Sequence, residues 1–434
     1  MPHKQKDIEM HLGCCLVASD LNDEYINFYP IVHRTWLKLL GIRAKLVLIA
    51  DEIPHSLKHL SDDIFLFPPL PHIHSAFQAQ CIRLLYPALL EREANGGAVL
   101  ISDIDMIPMN QSYYAGSIAQ LPDDSFVAYR GNVLMSAREI PICYNAARPA
   151  TWSALFGTIS SIEDVRRRLS DWFSAFSAYD GKHGGAEWNA DQRILHDAVM
   201  AWQTQKNGRV VLLDDDATGY RRLDRAEISH IGGLTTEHMA RVRAGAYSDC
   251  HMMRPHARHR RINHAIATML FERFPKAPTP TLPTQSLIAA SLAVVMQHTD
   301  GPVLEIGCDP SSTPLLNALC LAQSRHLASV DESAEKFEAY PGMRHALHET
   351  IVAPWKSNSM QRWALVVING SYARAGLIEH FRRNADVIAL LPCENRDAET
   401  LSLLGRFHYL HKDERAAIPT VFLSETLDVE SLFL

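Results

Sequence analysis

The amino-acid sequence predicts a two-domain α/β fold. At 434 residues the chain exceeds the size at which one hydrophobic core keeps growing, which favours two domains. Apolar runs alternate with amphipathic helical patterns in both halves, as they do in α/β proteins. Residues 274–283 contain four prolines, which cannot continue a helix or lie inside a sheet. We therefore expect a first domain over 1–273, an extended linker over 274–284 and a second domain over 285–434.

The predicted elements come from the length and period of the apolar runs. In the first half the predicted strands are 14–18, 45–50, 98–102, 126–129 and 210–213, and the predicted helices are 29–40 and 75–91. In the second half the predicted strands are 302–306, 326–330, 363–368 and 387–391, and the predicted helices are 315–322, 334–340 and 373–383. Each half is thus predicted to be an open sheet that binds ligands beyond the carboxyl ends of its strands.

Composition narrows the class of protein. The formal net charge of -7 argues against a nucleic-acid-binding surface, and no apolar run is long enough to span a bilayer. The amino terminus is polar and lacks the apolar stretch of a signal peptide. The eight cysteines are scattered without a Cys-x-x-Cys pair, which indicates reduced thiols. We therefore expect a cytoplasmic protein without a nucleic-acid partner or a transmembrane segment.

The most informative segment is the predicted strand 98–102, which is followed by two aspartates. Side chains i and i+2 of an extended chain point to the same side, so Asp103 and Asp105 can converge on one point. Two such carboxylates repel unless a cation lies between them, and oxygen ligands suit Mg²⁺ or Mn²⁺. Such an ion would bridge two phosphates of a leaving nucleoside diphosphate. The alternative is a turn whose carboxylates cap a helix.

The helical segment 79–90 with Arg83, the hydrophobic strand and the Asp-x-Asp together resemble glycosyltransferases of the GT-A fold, in particular the glycogenin-like retaining families. The resemblance implies that a metal-dependent enzyme moves a sugar from a UDP- or GDP-sugar to an acceptor hydroxyl in glycan or polysaccharide synthesis. It implies that Arg83 and Asp103 contact the donor. From the residues alone, Arg83 could bind a phosphate or hold an aspartate in place, and the favoured alternative is a surface charge on an amphipathic helix. The match favours retention but leaves stereochemistry, donor and acceptor open.

Two further segments match these families. His230 would be a third metal ligand, and Gly232 and Gly233 would bring backbone amides to the donor phosphates. Asp191, which opens a predicted helix after a glycine-rich loop, would bind sugar hydroxyls or act as the catalytic base. Its alternative role is to complement the helix dipole. Trp188 is a candidate face for a sugar ring, or a core residue.

Other candidates lie at the start and end of this half. Asp20 or Asn22, after the first strand, are candidates for donor binding through the base or ribose. Arg221, Arg222 and Arg225 are candidate phosphate-binding or structural arginines. The cysteine and histidines of residues 250–259 match no standard zinc site, so we interpret that segment as basic and solvated.

The second half resembles class I S-adenosylmethionine methyltransferases over most of residues 285–434. The resemblance implies that Glu305, Gly307, Asp331 and Asn369 bind S-adenosylmethionine. One glycine remains in the first turn, and larger side chains there would crowd a cofactor. Three hypotheses follow: a glycosyltransferase with an active or degenerate methyltransferase-like domain, a methyltransferase whose first half recognises a glycan, and a non-catalytic scaffold. The intact aspartate pair favours the first of these.

Overall fold

The computed structural model describes residues 9–133, 135–176, 178–206, 208–271, 273, 284–309, 312–331, 346–347, 362–369, 374–391, 398–413 and 420–433. The chain divides into two compact units. The first contains Met1–Ile53 and Leu60–Pro275, and the second contains Pro54–His59 and Lys276–Leu434. The predicted linker, apart from Thr284, and the predicted helix 334–340 lie outside the described residues.

The first unit is built on a seven-stranded mixed sheet and a smaller three-stranded sheet. Its strands are β1 (Leu12–Asp20), β2 (Ala44–Ile49), β3 (Ile64–Phe67), β4 (Ala98–Ile101), β5 (Met106–Pro108), β6 (Phe126–Ala128), β7 (Asn145–Ala147), β8 (Val210–Leu212), β9 (Arg221–Leu223) and β10 (Tyr247–His251). The large sheet has the order β3-β2-β1-β4-β7-β6-β8, and the small one has the order β5-β10-β9. Only β7 runs antiparallel to its neighbours β4 and β6.

Helices cover the large sheet because their apolar faces pack on its buried strands. The α-helices of the first unit are Tyr29–Leu40, Ser75–Leu85, Glu91–Ala94, Pro149–Leu155, Ile162–Ala175, Ala190–Lys206, Asp215–Thr218, Arg225–His230, Thr236–Ala244 and His256–Phe271. The predicted helix 75–91 ends early, at Leu85, and continues as a 3₁₀ turn over Tyr86–Leu89. Pro87 explains the change, because proline lacks the N–H that an α-helix interior needs.

The second unit contains another seven-stranded sheet. Its strands are β11 (Val303–Ile306), β12 (Leu327–Asp331), β13 (Ala346–Leu347), β14 (Trp363–Asn369), β15 (Ala385–Leu391), β16 (Tyr409–Asp413) and β17 (Thr420–Ser424). Their order is β13-β12-β11-β14-β15-β17-β16, with β17 antiparallel to both neighbours. The described helices are Thr284–Gln297, Thr313–Ala322, Arg374–Phe381, Ala398–Leu404 and Val429–Leu432. The predicted α/β fold class with two domains is confirmed.

Both large sheets have a topological switch point beside their first strand. In each, the first strand lies between the second and the fourth, so successive connections leave it towards opposite edges. Ligands of open α/β sheets bind at this switch point, beyond the carboxyl ends of the strands. In the first unit the point lies between β1 and β4, and in the second between β11 and β14.

Candidate active site

A cavity of about 440 Å³ opens at the switch point of the first unit. The residues that follow β1 and β4 form part of its wall, and the loop before the helix Ala190–Lys206 forms another part. The predicted site residues that line this cavity are Asp20, Asn22, Arg83, Asp103, Asp105, Trp188, Asp191 and Arg225. Its volume falls in the range of small-molecule sites, and its wall is rich in charged groups.

Arg83 joins two of the predicted acidic residues. It lies near the end of the helix Ser75–Leu85 and is only 6% exposed. Its Nη1 donates to Asp103 and to the Ser102 carbonyl oxygen (3.1 Å), and its Nη2 donates to Asp191 (3.2 Å). Arg83 is therefore a buried bridge and not the surface charge that its helix pattern indicates.

Asp191 is the most deeply buried acid of this group, at 2% exposure. It lies in the first turn of the helix Ala190–Lys206, where its Oδ1 accepts from the Gln192 amide (2.9 Å). Burial raises the pKa of Asp191 to about 6, although the charge of Arg83 acts in the opposite direction. A carboxyl with this pKa can exchange a proton near neutral pH.

Asp105 is surrounded by cationic groups. Its Oδ2 lies 2.7 Å from Arg225 Nη1, 3.3 Å from His251 Nε2 and 3.4 Å from Arg254 Nε. Burial disfavours the charged carboxylate. The hydrogen bond of His251 and the charges of His251, Arg225 and Arg254 outweigh it, so the pKa of Asp105 is lowered. Asp105 is consequently ionised at neutral pH.

His251 reaches Asp105 through strand pairing. It ends β10, which runs antiparallel to β5, and its backbone partner there is Met106, the residue after Asp105. Its Nδ1 lies 3.3 Å from Asp224 Oδ2, so the ring is held between two carboxylates. Burial lowers the pKa of His251, but the hydrogen bonds to Asp105 and Asp224 raise it above the ordinary value overall.

The structure does not bring His230, Gly232 and Gly233 to the cavity. His230 is exposed at the end of the short helix Arg225–His230, and Gly232, exposed like it, follows with a φ of 72°. None of the three lines the cavity wall. His251 occupies the place beside Asp105 that we assigned to His230, because β10 and not the preceding helix pairs with the strand after the Asp-x-Asp.

The other candidates have different surroundings. Arg222 donates to the buried Asp249 (2.6 Å), so it is structural, and Arg221 pairs with Glu227 at 3.4 Å. Asp20 accepts from Ser75 Oγ (2.6 Å) at the cavity wall. In the described part of the chain, no group of three His, Cys, Asp or Glu side chains is arranged to hold a metal ion, and that includes residues 250–259.

Three further residues that no sequence pattern indicated, Tyr25, His183 and Arg254, line the same cavity. Arg254 donates to the Tyr25 hydroxyl and lies 3.1 Å from His183 Nε2, and its guanidinium is 5.1 Å from the centre of the Tyr25 ring. The His183 and Trp188 rings are 5.2 Å apart, centre to centre. Aromatic faces therefore lie near the charged groups, as sugar or base binding requires.

In the second unit, the four residues assigned to S-adenosylmethionine meet at the end of β11. Glu305 is fully buried and accepts from the hydroxyls of Ser312, Thr313 and Ser329. The Asn369 amide donates to Glu305 (3.1 Å) and to the Gly307 carbonyl oxygen (2.6 Å). Asp331, at 1% exposure, accepts from the Cys308 amide (2.8 Å). Desolvation raises the pKa of Glu305 to about 7.

No helix in the described ranges combines the length and apolar character that a membrane crossing requires.

No family model and no curated protein sequence matches the chain. Among solved structures, it is similar to the apo-form glycosyltransferase GlyE of Streptococcus pneumoniae TIGR4, at 11% identity over 87% of this chain and 90% of that chain, with a TM-score of 0.33. It is also similar to precorrin-6y C5,15-methyltransferase of Geobacter metallireducens GS-15 (15% identity, 35% of this chain, 93% of that chain, TM-score 0.25). A third is the plantazolicin methyltransferase BpumL, solved with SAH (16% identity, 34% and 63%, TM-score 0.21). These neighbours are transferases, but all three TM-scores are below 0.5, so function is inferred from the geometry of the site.

Proposed function

We propose that the first unit is a glycosyltransferase that moves a sugar from a nucleotide-sugar to an acceptor hydroxyl, with Mn²⁺ or Mg²⁺ as cofactor. One observation carries the proposal. Asp103 and Asp105, which follow β4, line the switch-point cavity together with Asp191 and three arginines. Carboxylates suit a cation and sugar hydroxyls, whereas guanidinium groups suit the phosphates of a donor.

The residue types beside Asp105 suit a divalent cation, but in the described part of the chain they are not arranged as a metal site, so these side chains would have to move to bind an ion. Asp103 and Asp105 offer carboxylate oxygens, and His251 offers an imidazole whose other nitrogen lies 3.3 Å from Asp224. Metal-binding histidines generally donate their second ring N–H to a carboxylate in this way. Asp103, Asp105 and His251 would therefore hold the ion once the carboxylates leave their arginine partners. When bound, the ion would supply positive charge to the diphosphate as it becomes the leaving group.

We assign the remaining residues of the cavity roles in binding the donor and orienting the acceptor. Arg83 fixes Asp103 and Asp191 relative to each other. Asp20 and Tyr25 lie at the β1 side of the cavity, where they would contact the base or ribose. Asp191 would accept a hydrogen bond from a sugar hydroxyl and orient the acceptor. In the transfer, the bond between the sugar carbon and the diphosphate would break and the diphosphate would leave, while a bond to the acceptor oxygen forms and the acceptor proton passes to Asp191.

The second unit is a candidate for S-adenosylmethionine binding, but its four assigned residues are bonded to one another and to their neighbours in the described part of the chain. The Asp331 carboxylate, which would hold the ribose hydroxyls, is almost fully buried and accepts from the Cys308 amide. Glu305 and Asn369 are bonded to each other and to their neighbours. We therefore derive no methyl-transfer step. A calorimetric titration with S-adenosylmethionine decides between the hypotheses: saturable binding would support the bifunctional protein, and no heat of binding would support a degenerate second domain.

A thermal-unfolding screen with UDP- and GDP-sugars, each with Mn²⁺ and with a chelator, tests the glycosyltransferase proposal. We expect one donor to raise the melting temperature when Mn²⁺ is present, because a ligand at 100 times its Kd stabilises the native state by about 2.7 kcal/mol. The Asp105→Ala variant should lose the dependence on Mn²⁺. Asp197→Ala, which changes an exposed carboxylate away from the cavity, should keep it. If no nucleotide-sugar stabilises the protein, the proposal is contradicted.

A further inference from the structure

We propose that Arg225 and Arg254 form a clamp that binds a diphosphate. Without a cation, both arginines are paired with Asp105, and they become available to the diphosphate when a cation binds the Asp105 carboxylate. The clamp rests on the proposed function of the first unit. It adds the residues that bind the diphosphate of the donor, and it makes cation binding and diphosphate binding cooperative.

The two guanidinium groups converge on one oxygen atom. Arg225 Nη1 lies 2.7 Å and Arg254 Nε lies 3.4 Å from Asp105 Oδ2. One carboxylate is therefore paired with two permanently charged guanidiniums, and the His251 ring lies 3.3 Å from the same carboxylate. Each guanidinium has five N–H donors, so most of the donors of this pair remain for a ligand with several acceptor oxygens. A diphosphate is such a ligand.

The arginines come from separate segments and face the same cavity. Arg225 begins the helix Arg225–His230, whereas Arg254 follows β10. Both line the cavity, and their side chains are only 23% and 16% exposed. Arg254 also reaches Tyr25 and His183, so it spans the cavity from the acidic side to the aromatic side. A ligand at Asp105 therefore lies within reach of both guanidiniums.

A cation on Asp105 would displace these groups. Both arginines contact Oδ2 of the carboxylate that would bind the ion, so a divalent cation on this carboxylate would repel both guanidiniums. Largely buried guanidiniums that lose their carboxylate need another anion, because an unpaired buried charge is costly. The diphosphate would supply it. Cation and diphosphate should then raise each other's affinity by the same factor, as thermodynamic linkage requires.

Calorimetric titration with UDP and GDP in the presence of a chelator tests the clamp. The Asp105→Asn variant removes the competing carboxylate, and its metal-free affinity for the diphosphate should rise about tenfold, a change of about 1.4 kcal/mol. Glu24→Gln is the control. It removes a carboxylate that lines the same cavity and makes no hydrogen bond or ion pair to either arginine, so its effect should be much smaller. The Asp105→Asn, Arg225→Met, Arg254→Met triple variant should lose the gain.

Single substitutions in the otherwise native chain give an independent measurement. With Mn²⁺ present, Arg225→Met and Arg254→Met should each lower diphosphate affinity about tenfold. Binding of the corresponding nucleoside should be unchanged, and Arg258→Met, an exposed arginine outside the cavity, should bind the diphosphate like the wild type. Equal metal-free affinity in Asp105→Asn and wild type, or a gain that survives in the triple variant, overturns the clamp. If neither UDP nor GDP binds the wild type under any condition, the proposed function itself fails.

Discussion

At the scale of single residues, Arg83 determines how the acidic groups of the site are arranged. Its guanidinium holds Asp103 through one nitrogen and Asp191 through the other, with an exposure of only 6%. Both acids would be uncompensated without it, and breaking a buried ion pair by removing one partner costs about 3–5 kcal/mol. The planar fork of arginine permits this bridge, whereas lysine offers a single nitrogen.

We predict that Arg83→Lys lowers turnover of the donor about 10–100-fold and destabilises the first unit by about 2 kcal/mol, because one ammonium cannot hold both carboxylates. Steady-state kinetics and urea unfolding measure the two effects. Arg138→Lys is the matched control, since Arg138 pairs with Asp197 on the surface at 78% and 63% exposure. Exposed pairs contribute about 0–1 kcal/mol, so the control should resemble the wild type. Equal behaviour of the two variants contradicts the bridging role.

Asp191 predicts how activity depends on pH. Burial raises its pKa to about 6 from an ordinary value of 3.8, so the residue takes up a proton as the pH falls through 6. If the carboxylate orients the acceptor, turnover should fall by half near pH 6 and recover above it. A pH–rate profile between 5 and 8 measures this. The residual activity of Asp191→Asn should lack this limb, and a limb that persists in the variant assigns it to another group.

Local sequence patterns identified some residues of the site, whereas the positions of others depend on contacts between distant segments of the chain. Asp103 and Asp105 were chosen from a strand end and a spacing of two, which are local features, but the backbone turns at Ile104 and Asp105 and does not stay extended as we expected. Arg83 came from the family resemblance, since its helix pattern alone indicates an exposed charge. His251 was missed because β5 and β10 bring it to Asp105 over a separation of 146 residues. The strand Tyr-Ser-Asp-Cys-His has no apolar alternation that would have indicated it.

At the scale of elements, strands with a continuous apolar run were mostly predicted, and several strands without one were missed. All nine predicted strands overlap observed ones, including β1, β4, β14 and β15. Among the strands without a prediction, β5, β7 and β9 have three residues each and gain their stability from neighbours along the sheet. Strand pairing depends on contacts between distant segments, so the spacing of apolar residues along the chain does not reveal it.

Replacing two glycines by alanine tests how backbone conformation affects stability at a helix end and inside a helix. Gly41 closes the helix Tyr29–Leu40 with a φ of 72°, whereas Gly376 lies inside the helix Arg374–Phe381. An added Cβ meets nothing within 4 Å at either position, so only backbone conformation matters. Gly41→Ala should destabilise the protein by about 1 kcal/mol and Gly376→Ala should stabilise it by about 0.5–1 kcal/mol. Chemical denaturation measures both, and effects of the same sign would contradict this explanation.

At the scale of the whole molecule, each unit has its own buried core. The first unit packs its helices on β1 and β4, and the second unit has separate clusters on the two faces of its sheet. The proline-rich stretch predicted the division into two parts, but the segment Pro54–His59 groups with the second unit, which no sequence pattern indicated. Asp20 and Asp103 lie at or just after the carboxyl ends of β1 and β4, and Gly307, Asp331 and Asn369 lie at or just after those of β11, β12 and β14, whereas His230, Gly232 and Gly233 lie away from the cavity.

The second unit should become more stable at lower pH because of Glu305. Its pKa is about 7 in the folded protein and 4.5 ordinarily, so folding disfavours the charged form. The free-energy cost of burying the ionised Glu305 side chain on folding is greatest above pH 7, and it disappears as the pH falls through 7 towards 4.5. Between pH 8 and 6 the unit should gain about 1 kcal/mol. Thermal melts should show this gain in one transition. Glu305→Gln should abolish it, and an unchanged pH response in that variant would contradict the assignment.

We propose above that a cation and a nucleotide-sugar act together at the end of β4. The most direct measurement is the release of nucleoside diphosphate from the preferred donor with Mn²⁺, compared between His251→Ala and His230→Ala. The two variants remove the same group, once beside Asp105 and once from an exposed helix end. We predict that His251→Ala loses at least tenfold in turnover and that His230→Ala matches the wild type. Loss of activity in His230→Ala with full activity in His251→Ala would contradict the account.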